Sequence, residues 1–214
     1  MSSQVIRIML ADDHAVVRSG LRRLLEQRHG LEVVAEAESG EQAYQLFGEC
    51  LPDVAVMDLS MPGMGGMEAA RRIVARHPAA RILVFSMHEN ASFATQALKA
   101  GARGYVAKTA APEDLVAAVQ EVAKGRTYLS SAIAQKIAMQ SLDGGSDPIS
   151  QLSAREFEVF RMVAEGVAAE DIAAKLKISQ KTVANYLTLI KQKLGVSTSI
   201  EMLRLAMRHG VIDE

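Results

Sequence analysis

The stretch Val54-Ala55-Val56-Met57-Asp58 is an apolar run of strand length that ends in a carboxylate, and runs of this length recur through the first part of the chain. The other four cover residues 5–10, 32–37, 81–86 and 104–106. Between and after them, apolar residues have helical spacing near 17–28, 41–47, 67–76, 92–100 and 113–124. Five strand–helix units predict an α/β doubly wound five-stranded parallel sheet with helices on both faces.

The periodicity changes after Gly125. One short helical stretch, near 132–139, is followed by Ser141-Leu-Asp-Gly-Gly-Ser-Asp-Pro-Ile-Ser150, which is rich in turn formers and typical of a linker. From Leu152 onward the apolar spacing is helical throughout. We therefore predict a first domain over residues 1–125, a linker with a short helix over 126–150, and an all-α domain over 151–214.

The composition excludes several classes of protein. The 214 residues are enough for two domains, and the single cysteine, Cys50, excludes a disulfide within the chain and a cysteine-based zinc site. No segment approaches the roughly 20 apolar residues of a membrane span, and residues 5–10 are too short for the core of a signal peptide. We expect a cytoplasmic protein with no membrane partner.

Charged residues follow three of the predicted strands. Asp12 and Asp13 follow the first strand, Asp58 ends the third, and Lys108 follows the fifth. We expect the ends of these three strands to lie side by side at one edge of the sheet. Each acidic residue alone would be interpreted as a solvated carboxylate at a strand end. Three together repel one another unless a cation joins them, and Mg²⁺ is the natural candidate because it takes oxygen ligands and bridges to phosphate.

Such a cluster has a definite chemistry. A divalent ion and one lysine can hold a phosphoryl group while a carboxylate oxygen attacks it, which gives an acyl phosphate. Ser86, at the end of the fourth strand, fits the same edge as a hydrogen-bond partner for the phosphoryl oxygens. We interpret His14, next to the acidic pair, as a solvated residue at a helix start rather than a metal ligand, and the other histidines show no ligand spacing.

Several segments of this half resemble the motifs of response-regulator receivers, which have a flavodoxin-like fold. They are Leu10-Ala11-Asp12-Asp13-His14, Met57-Asp58-Leu59-Ser60-Met61-Pro62-Gly63, Ser86, and Gly104-Tyr105-Val106-Ala107-Lys108. The resemblance implies that Asp58 accepts a phosphoryl group from a sensor histidine kinase. It also implies a Mg²⁺ site made by Asp12, Asp13, Asp58 and the backbone carbonyl of Ser60.

The same resemblance implies how the phosphoryl group is sensed. Lys108 pairs with the phosphate, and Ser86 swings toward it. That movement lets Tyr105 rotate inward and remodels the face around the fourth helix and the fifth strand.

The last part of the chain predicts a helix-turn-helix. Helices near 155–165 and 170–176 precede a break at Lys177-Ile178-Ser179 and a longer helix over 181–194. Capping boxes are predicted at Ser153 with Glu156 and at Thr198 with Glu201. On the longer helix the predicted buried stripe is Val183, Leu187, Ile190 and Leu194.

The opposite face of that helix suits DNA. Lysine can bind phosphates, asparagine can read adenine, and alanine or threonine can contact a thymine methyl group. Between residues 172 and 200 every charged residue is a lysine, although the net charge of the chain is only −1. An ordinary solvated polar face is the alternative. The predicted DNA-binding residues are Lys181, Thr182, Ala184, Asn185, Thr188 and Lys191, with Gln192 on the same stripe.

The segment from Leu152 to Leu194 is similar to the LuxR-type helix-turn-helix, which makes the whole chain similar to the NarL/FixJ family. Residues 60–66 and 206–210 are further similar to the GacA/UvrY branch of that family. Glu170, Ala184 and Tyr186 depart from residues common in the family, so the target sequence is not assigned.

The resemblance also implies dimerisation through the last helix. Its apolar residues cover more of the helix than one core face needs, although packing against the linker or the first domain is an alternative explanation. They are Ile200, Met202, Leu203, Leu205, Ala206 and Met207.

Together these features predict a phosphorylation-controlled transcriptional regulator, not an enzyme, that binds double-stranded DNA as a homodimer. One rival is a Mg²⁺-dependent phosphohydrolase, but such enzymes place the nucleophile after the first strand, whereas Asp58 follows the third. A second rival is a DNA-binding regulator whose first domain is a phosphorylation-independent dimerisation module. The presence of all five pocket residues, Asp12, Asp13, Asp58, Ser86 and Lys108, argues against it.

Overall fold

The computed structural model describes residues 5–142 and 148–212, with residues 141 and 142 described by their backbone alone. Its internal contacts divide the chain into two compact units. The first comprises Met1–Glu89 and Ala97–Ser131, and the second comprises Asn90–Gln96 and Ala132–Glu214.

Strands and helices alternate through residue 131. In chain order they are β1 Ile6–Ala11, α1 Ala15–Glu26, β2 Leu31–Ala37, α2 Gly40–Cys50, β3 Val54–Met57, α3 Gly66–Arg76, β4 Ile82–Ser86, α4 Ala91–Lys99, β5 Gly104–Ala107, α5 Pro112–Ala123 and β6 Tyr128–Leu129. The sheet order is β2-β1-β3-β4-β5-β6, and all neighbours are parallel. The predicted parallel α/β sheet is confirmed. The sixth strand was not predicted, because two residues are too few to show an alternation.

The sheet is covered on both faces because successive side chains of a strand point to opposite sides. Apolar residues at both parities therefore become buried, which is why the strands read as continuous apolar runs. One face packs against α1 and α5 and includes Ile8, Leu10, Val54, Val56, Leu21, Leu25, Leu115 and Val119. The other packs against α2 and α3 and includes Met9, Ala11, Ala55, Met57, Ala43, Phe47, Ala69 and Ile73.

The strand order corrects one expectation. The ends of β1 and β3 are neighbours as predicted, but β4 lies between β3 and β5. The prediction that the third and fifth strands end side by side was therefore wrong. The error has no consequence for the cluster, because the long side chain of Lys108 reaches across the end of β4 to Asp58.

The second unit contains the predicted helices. They are α6 Ser131–Leu142, a short 3-10 helix Pro148–Gln151, α7 Ala154–Ala164, α8 Ala169–Leu176, α9 Gln180–Leu194 and α10 Ser199–Arg208. The all-α helix-turn-helix arrangement is confirmed, with α8, a break and α9 in sequence. Part of the predicted linker, residues 143–147, lies outside the described residues, and the domain boundaries remain a prediction.

Local sequence determines where these helices begin and end. Ser153 and Glu156 form a capping box at α7, and Thr198 and Glu201 form another at α10, both as predicted. The Ser179 hydroxyl accepts a hydrogen bond from the N–H of Thr182 at the start of α9. Since these caps satisfy backbone N–H groups that no helical carbonyl can reach, they fix the starts of the helices around the turn.

Candidate phosphoryl-acceptor site and nucleic-acid interface

The predicted acidic residues converge at the carboxyl edge of the sheet. One ligand atom from each of Asp12, Asp13, His14 and Asp58 can be chosen so that all four lie within 4.8 Å of one another. Asp12 and Asp58 are buried, whereas Asp13 is half-buried. The N–H of Asp58 donates to the carbonyl of Ala11 at 2.8 Å, which joins the ends of β3 and β1. The arrangement forms an acidic pocket that suits a divalent cation.

Lys108 binds two of these carboxylates. Its Nζ atom lies 2.6 Å from Oδ2 of Asp12 and 2.9 Å from Oδ2 of Asp58. The backbone N–H of Lys108 donates to the carbonyl of Ser86 at 2.7 Å, so β4 fixes the point from which this side chain extends. Two buried carboxylates therefore share the ammonium group of Lys108, and the carboxylate of Asp13 lies nearby.

The charges in this pocket do not balance. Burial raises the pKa of the Asp58 carboxyl, and the charge of Asp12 raises it further, against the opposing effect of Lys108. Burial alone would lower the pKa of Lys108, but its hydrogen bonds to Asp12 and Asp58 outweigh that effect and raise it. The pocket therefore carries surplus negative charge in the absence of a further cation.

The loop after β3 lies very close to Asp58. A Cβ atom at Gly66 would lie 1.7 Å from the backbone carbonyl oxygen of Asp58, so a residue with a side chain cannot occupy this position without displacing the backbone. The N–H of Gly66 donates to the carbonyl of Leu59 at 3.0 Å, and the N–H of Ser60 hydrogen bonds the Asp58 carboxylate. Glycine at position 66 thus allows the start of α3 to close over the acceptor.

Ser86 and Tyr105 form a second polar group below the pocket. Both are fully buried. The Tyr105 hydroxyl donates to the carbonyl of His88 at 2.6 Å and hydrogen bonds the Ser86 hydroxyl, which also accepts from the N–H of His88 at 3.3 Å. Burial strongly raises the pKa of Tyr105. The side chain of Tyr105 therefore has the inward orientation in this structure.

Three residues near the pocket were not assigned a role from sequence. The Nδ1 atom of His14 lies 2.8 Å from Asp13, although the ring is 67% exposed, which agrees with a residue at a helix start. The Nε2 atom of His88 lies 3.3 Å from the Ser60 hydroxyl. Arg18 donates to the backbone carbonyl of Asp12 at 2.6 Å. The position of Arg18 one turn into α1 was the available signal, because such a residue lies above the end of β1.

In the second unit α9 presents a polar face. Val183 and Ile190 are buried, while Leu187 and Leu194 of the predicted stripe are only half-buried. Thr182 and Lys191 are half-buried at the border of the face, and the Thr182 hydroxyl hydrogen bonds Ser179. The exposed residues on it are Lys181, Ala184, Asn185, Thr188 and Gln192.

Lys193, in the lysine run of this unit, is ion-paired. Lys193 lies 2.6 Å from the buried carboxylate of Glu156, so its charge is used within the fold. Lys175, Lys177 and Lys181 are exposed. The basic surface is consequently smaller than the count of lysines between residues 172 and 200 suggests.

A parallel sheet with buried carboxylates and a lysine at the ends of its strands defines a receiver domain, and the helix-turn-helix defines a DNA-binding domain. Residues 8–120 match the family described as response regulator receiver domain, and residues 150–206 match bacterial regulatory proteins of the luxR family.

Relatives of similar length match nearly the whole chain. It is 38% identical to the response regulator GacA of Pseudomonas aeruginosa over 98% of this chain and 99% of that protein. It is 37% identical to the response regulator UvrY of Escherichia coli K12 over 97% of this chain and 96% of that protein. A solved structure of RcsB from Salmonella enterica serovar Typhimurium, bound to the rprA promoter with the phosphomimetic BeF₃⁻, superposes with a TM-score of 0.71 at 30% identity, covering 94% of this chain and 98% of that one.

The chain therefore belongs to the NarL/FixJ family of two-component response regulators, with a receiver followed by a LuxR-type DNA-binding domain. Its function is phosphorylation-controlled regulation of transcription. Within residues 5–142 and 148–212, no helix is both long and apolar enough to cross a membrane.

Proposed function

We propose that Asp58 is the phosphoryl acceptor, and that a sensor histidine kinase is the donor. The observation that carries this is the shared lysine, which holds Asp12 and Asp58 at 2.6 and 2.9 Å at the open end of the sheet. In the transfer, an oxygen of Asp58 attacks phosphorus, a P–O bond forms, and the P–N bond to the kinase histidine breaks. Lys108 is positioned to bind a phosphoryl oxygen when Asp58 loses its carboxylate charge on forming the acyl phosphate.

The donor set fits Mg²⁺. Asp12, Asp13 and Asp58 supply hard oxygen ligands, the backbone carbonyl of Ser60 is the proposed fourth ligand, and the pocket has surplus negative charge. The bound ion would neutralise that charge and polarise the phosphoryl oxygens.

The response to phosphorylation is proposed to pass through Ser86. Its hydroxyl is bonded to Tyr105 and to the N–H of His88 in this structure. A new phosphoryl group that accepts from Ser86 would take this hydroxyl away from Tyr105. The change would alter the loop at His88, whose carbonyl holds the Tyr105 hydroxyl.

We infer that α9 reads promoter DNA in the major groove. Lys181 and Lys191 suit phosphates, Asn185 suits an adenine edge, and the methyl-bearing Ala184 and Thr188 suit thymine. Thr182 is placed in the first turn, where helix N–H groups also favour phosphate. The luxR-family match to residues 150–206 supports this assignment, as does the promoter-bound RcsB relative.

The homodimer contact is proposed to lie on α10. Met202 and Ala206 are fully buried against the unit's own core, whereas Ile200, Leu203 and Met207 are 63%, 37% and 37% exposed. These three lie three and four residues apart, so they form one outward apolar stripe. A relative, RcsB, has been solved as two dimers bound to two parallel DNAs.

The proposed division is a receiver over 1–125, a linker with a short helix over 126–150 and a DNA-binding domain over 151–214. We propose that the protein acts in the cytoplasm, where chromosomal DNA and the catalytic domains of sensor kinases are both accessible, and that it has no enzymatic role of its own. The alternative, a receiver that only dimerises, is supported by no specific contact of this site.

A phosphorylation assay tests the proposal. The wild type is incubated with Mg²⁺ and acetyl phosphate and examined by intact mass, beside Asp58→Asn and the control Asp171→Asn, an exposed carboxylate on α8. One added phosphoryl group is expected in the wild type and the control and none in Asp58→Asn. In the same samples, DNA selected from a random duplex library should bind more tightly only to protein that carries the phosphoryl group. Labelling that persists in Asp58→Asn would disprove the assignment, and equal retention with and without phosphate would favour the dimerisation module.

A further inference from the structure

We propose that Arg18 is a positioning residue for the metal ligands, and that it tightens the binding of Mg²⁺ although it is itself a cation. This inference rests on the proposed function of the Asp58 site. Arg18 lies in the second turn of α1 and its side chain is only 14% exposed. One of its nitrogens donates to the backbone carbonyl of Asp12 at 2.6 Å, and its Nε atom lies 3.3 Å from Glu36 on β2.

The contact to the Asp12 carbonyl determines the direction of both acidic side chains. The carbonyl of Asp12 and the N–H of Asp13 belong to one planar peptide group. A guanidinium that holds this carbonyl therefore fixes the plane from which the Asp13 side chain departs. On the other side of Asp12, its N–H donates to the carbonyl of Ala37 at 3.0 Å. The hydrogen bonds of the strand end at Asp12 and do not reach its carbonyl. Arg18 supplies the constraint on that carbonyl.

The guanidinium is itself held in place. Glu36 accepts from both Arg18 and Arg22, and Arg22 also pairs with Glu26. The Arg22 contact keeps the pKa of Glu36 below its ordinary value, so this carboxylate stays charged. An arginine with one fixed carboxylate partner loses little further freedom when it binds a carbonyl. Arg23 is an exposed arginine on the same helix, and its side chain has no described contact with Glu36 or Asp12, which makes it a matched control.

The sign of the effect separates positioning from charge. Removal of a nearby cation should tighten the binding of a divalent cation if simple repulsion dominates. Loss of a contact that orients metal ligands should weaken it, commonly by 10- to 100-fold for partners of this kind, so we expect Arg18→Gln to raise the Mg²⁺ Kd about tenfold. Arg23→Gln removes an equal charge and keeps the carbonyl contact with its Glu36 support, and its screened effect should be under about twofold, toward tighter binding.

The experiment is a calorimetric titration of the full-length, unphosphorylated protein with MgCl₂. Variants are Arg18→Gln, Arg18→Lys and Arg23→Gln, with circular dichroism as the check on folding. Arg18→Lys keeps a donor for one partner and loses the fork, so an intermediate Kd, about threefold above wild type, is expected. Labelling by phosphoramidate at several Mg²⁺ concentrations should show the defect of Arg18→Gln as a higher half-saturating concentration with a similar maximal rate.

The outcomes are distinguishable. A wild type with no Mg²⁺ heat and no labelling would overturn the proposed function itself. A folded Arg18→Gln with unchanged or tighter Mg²⁺ binding, in a wild type that binds normally, would overturn the positioning role alone. If Arg18→Gln does not fold, Arg18→Lys decides, because a wild-type Kd in that variant contradicts a role for the two-armed contact.

Discussion

Lys108 and Lys193 each hold a buried carboxylate, one in each unit of the chain. Lys108 shares its ammonium group between Asp12 and Asp58, whereas Lys193 serves Glu156, which also accepts from the N–H of Ser153. At Asp58 burial raises the carboxyl pKa, and Lys108 does not offset it. Burial alone would raise the pKa of Glu156 as well. The hydrogen bonds from Lys193 and from the capping residue Ser153 outweigh burial, so the pKa of Glu156 lies below its ordinary value.

The difference is one of charge balance rather than of chemistry. Both clusters use a lysine and a buried carboxylate, but only the receiver pocket has more carboxylate than ammonium charge. A balanced pair stabilises its own unit and needs nothing more. An unbalanced one favours whatever reduces the negative charge, such as a divalent cation, a proton or the conversion of Asp58 to an acyl phosphate. The surplus charge therefore distinguishes the candidate functional site from the structural one.

The largest effect is expected when the balanced cluster is broken. Glu156→Ala removes the partner of Lys193 and leaves the Ser153 N–H without its acceptor, and it should lower the free energy of unfolding by about 2 kcal/mol. Glu165→Ala is the control, because it removes an exposed pair with Arg161 and should cost about 0.5 kcal/mol or less. Thermal unfolding followed by calorimetry measures both. Equal losses in the two variants would show that the Glu156 cluster is not a special contact.

The unbalanced cluster should respond to metal instead. At a Mg²⁺ concentration ten times the Kd, the wild-type receiver should gain about 1.4 kcal/mol, and Asp58→Asn should gain much less because it lacks one ligand. Glu156→Ala should keep the full gain, since its substitution lies in the other unit. Melting curves with MgCl₂, compared with NaCl at matched ionic strength, give the measurement. A full gain in Asp58→Asn would mean that the ion binds elsewhere.

A change in pH should alter the contributions of Asp58 and Glu156 to the free energy of unfolding in opposite directions. The raised pKa of Asp58 means that its contribution to stability is fully present below the ordinary value of 3.8 and is lost as pH rises through the folded-state pKa. The lowered pKa of Glu156 means that its contribution is present above 4.5 and is lost as pH falls. In Mg²⁺-free buffer, the stability of Asp58→Asn relative to the wild type should therefore increase as pH rises through the folded-state pKa of Asp58.

The matched variant for the other cluster is Glu156→Gln, whose penalty should shrink as pH falls toward 4. Calorimetric melting of the wild type and both variants at a series of pH values tests the direction of each change. Groups that titrate alike in two proteins cancel in the difference between their free energies of unfolding. A penalty in Asp58→Asn that grows with pH would reverse the expected sign and refute the charge imbalance.

Much of the receiver pocket was predictable because its residues adjoin strands whose apolar runs are plain in the sequence. Asp12, Asp13 and Asp58 needed only the rule that parallel strands end at a common edge. Lys108 does lie beside these carboxylates as expected, but the reason given was partly wrong, since β4 separates its strand from β3. The helix position of Arg18 was the available signal, but its contact with the Asp12 carbonyl depends on a side-chain direction that no periodicity encodes.

In the second unit the caps were predictable from local spacing, and the ion pairing was not. Ser153 and Glu156 are three residues apart, so their capping box is visible in the sequence. Lys193 is 37 residues from Glu156, and only the packing of α9 on α7 brings them together. The sequence analysis therefore counted Lys193 in the lysine run that favoured DNA, although its charge is paired with Glu156 in the fold.

The smallest predicted effect separates these two uses of lysine on one helix. Lys191 and Lys193 lie two residues apart near the end of α9, but only Lys193 is paired with a buried carboxylate. If Lys191 binds a phosphate, Lys191→Gln should reduce the slope of log affinity against log salt by about 1, because one fewer counterion is released. Lys193→Gln should leave the slope unchanged and lower the melting temperature. Both can be measured by fluorescence anisotropy on a selected duplex between 50 and 200 mM salt, a range in which counterion release dominates. An equal fall in slope for both variants would show that the pair with Glu156 opens on DNA, and that the balance of this cluster is a property of the free protein alone.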